Sequence, residues 1–172
     1  EGNIPKYVRS HPWTGTEKRG IAHARADICD NSWCILTPTK KTSTKALAKI
    51  KTLWRKAGTK IIFLSPEEHD KILSFTSHLP HLIAFSLMNS LPSGYIRFSS
   101  GGLNDTTRIA ASSPMLWQGI FLTNQKNMLK AIDLFERNLL KVKSAIRKND
   151  KKALINILRL AQKKRSILVE AQ

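Results

Sequence analysis

Cysteine is scarce in this chain. Cys29 and Cys34 are too few for a disulfide framework, and their spacing fits no zinc motif. They read as ordinary thiols of a reducing compartment, so a cytoplasmic protein is expected. Long apolar runs are absent too: none approaches the roughly 18–20 residues that cross a bilayer, which excludes a spanning helix. The first residues, Glu-Gly-Asn-Ile-Pro, lack the basic and apolar pattern of a secretory signal. No internal repeat is present, and no Gly-x-Gly-x-x-Gly occurs, so the dinucleotide-binding fingerprint is missing. Acidic residues are few, 12 Asp and Glu against 29 Lys and Arg, for a formal net charge of +17. Such an excess points to nucleic acid, to small anionic ligands, or merely to solvated helix faces. No RRM, KH or zinc-finger pattern accompanies it, which argues against a nucleic-acid partner and leaves a basic helical nucleic-acid-binding module as the alternative.

What is there suffices for a core: 172 residues, 41% apolar, with four tryptophans. Ser32–Thr37, bounded by Asp30-Asn31 and Pro38, reads as a buried strand. Ser43 or Thr44 caps a helix whose apolar face is Leu47, Ile50 and Trp54, and Gly58 ends it. Lys60–Leu64 is a second short strand, completing a βαβ unit. From Ser65-Pro66-Glu67-Glu68 the texture turns helical: a capping serine, proline at the first helical position and acids in the first turn. This helix is expected to run towards Asn89 with a kink at Pro80. Ser93-Gly94 and Ser99-Ser100-Gly101-Gly102 read as loops. Helix returns from Pro114, with a stripe of Met128, Ile132, Phe135, Leu139, Val142 and Ile146, then a last helix after Asn149-Asp150. The expected fold is mainly α, a helical body (65–172) preceded by the last βαβ portion of an incomplete Rossmann-type α/β domain (1–64). Two strands alone leave bare edges, so the rest of the sheet is expected upstream.

Three segments concentrate polar chemistry. In His11-Pro12-Trp13-Thr14-Gly15-Thr16-Glu17, His11 titrates near neutrality and fits a general base, or equally a plain surface histidine. Gly15 permits a turn that returns Glu17 to the same place. Glu68-His69-Asp70 and Ser77-His78-Leu79-Pro80-His81 put His78 and His81 on one helical turn. No third ligand stands at metal-binding spacing, so no metal is expected and polar contact with an anionic ligand fits better. In Ser100-Gly101-Gly102-Leu103-Asn104-Asp105-Thr106-Thr107-Arg108, Arg108 opens an apolar stretch and is expected to be partly buried, held by a ligand carboxylate or by Asp105.

In this order the segments HPWTGTEKRG, WCILTPTKKT, SPEEHDKILSFTSHLPHLIAF and SSGGLNDTTRIAASSPMLWQGIFLTN resemble the prephenate/arogenate (cyclohexadienyl) dehydrogenase family, over nearly the whole chain. The resemblance implies a helical substrate-binding and dimerisation domain, a homodimer, and a small-molecule substrate with NAD or NADP as cofactor. By the same resemblance His11 is the catalytic base and Arg108 grips the substrate's side-chain carboxylate. Ser77, His78, His81, Thr16, Gly101 and Trp117 line the substrate pocket. Glu17, His69, Asp70 and Asp105 form its polar or gating network. In some members the tryptophan reaches in from the other subunit. With the fingerprint missing, this chain is expected to carry much of an active site without most of its cofactor domain.

Overall fold

The computed structural model describes residues 7–14 and 25–170. Three short strands form one sheet: β1 (Ser10–Trp13), β2 (Trp33–Leu36) and β3 (Lys60–Phe63), in the order β1-β2-β3. The helix α1 (Thr44–Lys56) links β2 to β3. These two strands are parallel, Trp33 against Lys60 through Leu36 against Phe63, so the expected βαβ unit is present. Parallel neighbours need such a crossover because a tight turn reverses the chain. Ser43 caps α1 by accepting from the Ala46 amide. Gly58, at φ 87°, then reverses the backbone into β3, a conformation that suits glycine.

β1 was not foreseen as a sheet member. It pairs antiparallel with β2, placing His11 opposite Ile35. The sequence marked this segment only by the chemistry of His11 and a turn at Gly15. The pairing depends on a partner more than twenty residues away, which local pattern does not report. Cys34, Ile35 and Leu36 are almost fully buried and form the sheet's core, whereas Ile62 and Phe63 of β3 are exposed. Among the described residues no strand pairs with the outer side of β3.

The helical part begins with α2 (Pro66–Leu73), where the expected capping box is complete: Ser65 accepts from the Glu68 amide, and the Glu68 carboxylate accepts from the Ser65 amide at 2.9 Å. The helix does not simply kink at Pro80. A wider π turn over Ser74–His78 separates α2 from α3 (Leu79–Ser90), and the Leu79 amide donates five residues back to Ser74. Proline lacks an amide hydrogen and its ring crowds the carbonyl four residues earlier, here Thr76. One widened turn just before it relieves that conflict without ending the helix.

The expected loop over Ser93-Gly94 is a 3-10 helix, Ser93–Phe98. Gly101-Gly102, also expected in a loop, opens the short helix α4 (Gly101–Thr107), followed by a 3-10 turn at Arg108–Ala111. Both glycines are exposed, and a Cβ on either would meet open space, so neither marks a close approach within the chain. The remaining helices are α5 (Pro114–Thr123), α6 (Gln125–Arg147) and α7 (Lys151–Glu170). Spatially the chain groups into two units, Glu1–Met128 and Leu129–Gln172. The first holds the sheet and the helices up to α5. Among the described residues of the second, only Ala131 and Ala145 are buried, while leucines and isoleucines such as Leu139, Leu140, Ile146 and Leu160 stand more than half exposed.

Candidate active site

Parallel sheets present their ligands at the carboxyl ends of their strands. Here that end is formed by Thr37 after β2, and by Leu64-Ser65 leading from β3 into α2, with the Leu64 amide donating to the Leu36 carbonyl at 3.2 Å. A cleft of about 420 Å³ lies there, lined by Tyr7, Arg9, Ser10, His11, Thr37, Pro66, His69 and Asp70. β1 supplies His11 from one side, and the first turns of α2 supply His69 and Asp70 from the other.

These three side chains form a row. His11 Nδ1 lies 2.9 Å from His69 Nε2, and His69 Nδ1 lies 2.9 Å from the Asp70 carboxylate. His69 is the inner member, its side chain 20% exposed against 54% for Asp70. Desolvation, and then the neighbouring His69, push the His11 imidazole below its ordinary range, which keeps it neutral and able to accept a proton.

Behind this row stands a second cluster. Trp117, on α5, is buried and stacks on His81 with ring centroids 3.6 Å apart, while His78 meets its edge at 6.1 Å. His81 Nδ1 donates to the Ser77 carbonyl at 2.9 Å, within the turn that Pro80 leaves without an amide donor. Burial is the main cause holding both His78 and His81 below the ordinary imidazole range. Asn124, which closes α5, joins the two groups. Its amide donates to the Asp70 carbonyl at 2.8 Å and to His78 Nδ1 at 3.3 Å, and its own oxygen accepts from Asn127 at 2.8 Å.

The structure thus brings His11, His69, Asp70, His78, Ser77, His81 and Trp117 together as one connected region. Asn124, Arg9 and Tyr7 belong to it and were missed. Asn124 sits at the end of a helix whose pattern marks it only as a cap, and its partners are 54 and 46 residues away. Thr16 and Glu17 lie outside the described residues. Trp117 packs within its own protomer, whatever the arrangement in other members of the family it resembles.

Arg108 and Asp105 are placed elsewhere. They line a separate cleft of about 590 Å³, with Phe85, Met88, Asn89, Asn104, Thr107, Ala110 and Ala111, and its described lining shares no residue with the His11 cleft. Arg108 is exposed, not partly buried as expected. The apolar stretch after it curls into a 3-10 turn rather than covering its side chain, and the seven-residue α4 buries only Thr107. Gly101, at the start of α4, borders neither cleft among the described lining residues. No group of three or more His, Cys, Asp or Glu suited to a metal occurs among the described residues, and no described helix is long and apolar enough to cross a membrane.

A parallel βαβ edge with a histidine–carboxylate row at its carboxyl end, continued by a helical unit with apolar surface, describes the end of an α/β domain joined to a helical domain. Comparison with known proteins makes this specific. Residues 1–63 match the prephenate dehydrogenase nucleotide-binding domain, and residues 65–160 match the prephenate dehydrogenase dimerization domain. The chain belongs to the prephenate dehydrogenase family. It is 38% identical to the cyclohexadienyl dehydrogenase of Zymomonas mobilis over 98% of its own length, and 34% identical to the prephenate dehydrogenase of Bacillus subtilis over 91%. A crystal structure of prephenate dehydrogenase from A. aeolicus, in complex with hydroxyphenyl propionate and NAD+, superposes with a TM-score of 0.88 at 37% identity, covering 96% of this chain and 60% of that one. The chain spans 60% of the Zymomonas protein and 44% of the Bacillus protein.

Proposed function

We propose that this chain forms the substrate-binding and dimer-forming part of a prephenate/arogenate dehydrogenase of tyrosine biosynthesis. The reaction is the oxidative decarboxylation of prephenate to 4-hydroxyphenylpyruvate, or of arogenate to tyrosine. The ring hydroxyl loses its proton, the hydrogen on the same carbon leaves as hydride, and the ring carboxylate departs as CO2 while the ring becomes aromatic. NAD(P)+, when bound, accepts the hydride. The residues present fit that cofactor in part: the cleft opens at the carboxyl ends of two parallel strands, but no glycine-rich phosphate turn occurs in the 172 residues.

The observation that carries this reading is His11, kept neutral in a cleft beside His69 and Asp70, in a chain matched to both halves of the family. In the reaction His11 takes the hydroxyl proton. Arg108 holds the side-chain carboxylate by paired charge-assisted hydrogen bonds. Because Arg108 lines a different cleft from His11, a second copy of the chain supplies it to the shared substrate, in keeping with its exposure and with the dimerization domain matched over residues 65–160. His81, Ser77, His78 and Trp117 form the pocket wall, and Asp105 and Gly101, which do not line the His11 cleft of their own chain, reach its rim with Arg108 of the second copy.

Thermal unfolding with added hydroxyphenyl propionate or prephenate tests the reading, since a ligand bound only by the folded form raises Tm. A concentration-dependent rise supports it, and no shift at millimolar ligand overturns it. Arg108→Ala should weaken prephenate binding about 100-fold, roughly the 3 kcal/mol of two charge-assisted hydrogen bonds. Unchanged affinity, measured by calorimetric titration, would remove Arg108 from the site.

A further inference from the structure

We propose that His69 is a positioning residue that locks His11 in one tautomer, with the proton on Nδ1 and the lone pair on Nε2. This rests on the reading of His11 as the base and assigns the residue that prepares it. The protons along the row have only one consistent arrangement when both rings are neutral. An ionised carboxylate accepts and cannot donate, so the Asp70 oxygen 2.9 Å from His69 Nδ1 requires a proton on that nitrogen. A neutral imidazole carries one N–H, so His69 Nε2 is a lone pair. His11 Nδ1, 2.9 Å away, must therefore be the donor. Its Nε2 is then bare, and since Nδ1 is engaged by His69, Nε2 is the nitrogen left to meet a substrate hydroxyl.

This is the reverse of the free imidazole's preference in water, where the proton sits mainly on Nε2. The carboxylate two partners away overrides that preference. Behind it, Asn124, 9% exposed, donates to the Asp70 main-chain carbonyl and so anchors the backbone that carries the carboxylate, while the Asn127 amide donates to the Asn124 oxygen. A base of the wrong tautomer offers an N–H where a lone pair is needed, and in enzymes with a carboxylate-held histidine that error removes most of the rate.

The test uses the 172-residue chain, 15N-labelled, and long-range 1H–15N spectra of its imidazoles at about pH 8, where ordinary imidazoles are neutral. Expected for His11 are a protonated, pyrrole-type Nδ1 and a bare, pyridine-type Nε2. His69→Leu should reverse the two signals. His69→Gln, whose amide oxygen can accept from Nδ1, should restore them. A bare Nδ1 in the unsubstituted chain overturns the proposal, and so does a His11 spectrum that His69→Leu leaves unchanged. Should His69→Leu not fold, the unsubstituted spectrum and His69→Gln decide alone. Adding hydroxyphenyl propionate separates this from the dehydrogenase reading: failure to bind would sink that reading while leaving the tautomer as measured.

Discussion

At the scale of single residues, burial of ionisable rings against an aromatic wall sets a pH response. His78 and His81 are both held below the ordinary imidazole value of about 6.5, chiefly by burial. The folded chain therefore takes up these protons at lower pH than the unfolded chain does. Between the two values the unfolded state binds more protons, so stability is full above about pH 6.5 and falls as the pH drops towards the folded values. His81→Phe keeps a ring against Trp117 and removes one titration. The fall of Tm between about pH 7 and pH 5 should become shallower, and an unchanged slope would contradict the role of His81. Trp117 itself is 7% exposed, and Trp117→Ala should cost about 3–5 kcal/mol, read from denaturant midpoints. The residue types of the site were legible: adjacent His69 and Asp70, and His78 with His81 three apart. Their partnerships were not, because His11 and His69 meet across 58 residues, through a strand pairing that no local pattern encodes.

Elements were more legible where termini carry chemical punctuation. Ser43 and Ser65 stand at the caps, Gly58 follows the first helix, and Asn149-Asp150 separates α6 from α7. Gly58 offers a direct check. Its positive φ disfavours a side chain, and an added Cβ would also come within 3.2 Å of the Asp30 Cα. Gly58→Ala should destabilise the chain by about 1–2 kcal/mol or more, visible as a lower denaturant midpoint at unchanged slope. Loops were harder. Ser-Gly clusters at 93–94 and 99–102 carry turn residues, yet both fold into short helical turns, because a few consecutive hydrogen bonds outweigh weak local preferences. The π turn was legible only as a disturbance at Pro80, since the backbone can absorb proline by kinking or by widening.

For the whole molecule, the apolar stripe of α6 predicted a partner, and the dimerization domain matched over residues 65–160 supplies one under the proposed function. Leu139 and Leu160 are 54% and 59% exposed. Placing a glutamate at either position should shift sedimentation from dimer towards monomer at micromolar concentration, and a distribution identical to the unsubstituted chain would place the interface elsewhere. The turn over Ser74–His78 reaches as far. A single wide turn holds one residue more than the α-helical path it replaces, and is what one inserted codon leaves in a helix. Removing that residue would return the segment to an ordinary α-helical turn and leave Pro80 crowding the carbonyl four residues before it. A residue removed from the regular part of α3 ahead of His81 has no such slack and would turn everything beyond by about 100° relative to α2. His81 would then leave the face that carries His69 and Asp70. The wide turn is the one place where this helix carries a spare residue while keeping the two halves of the site in phase.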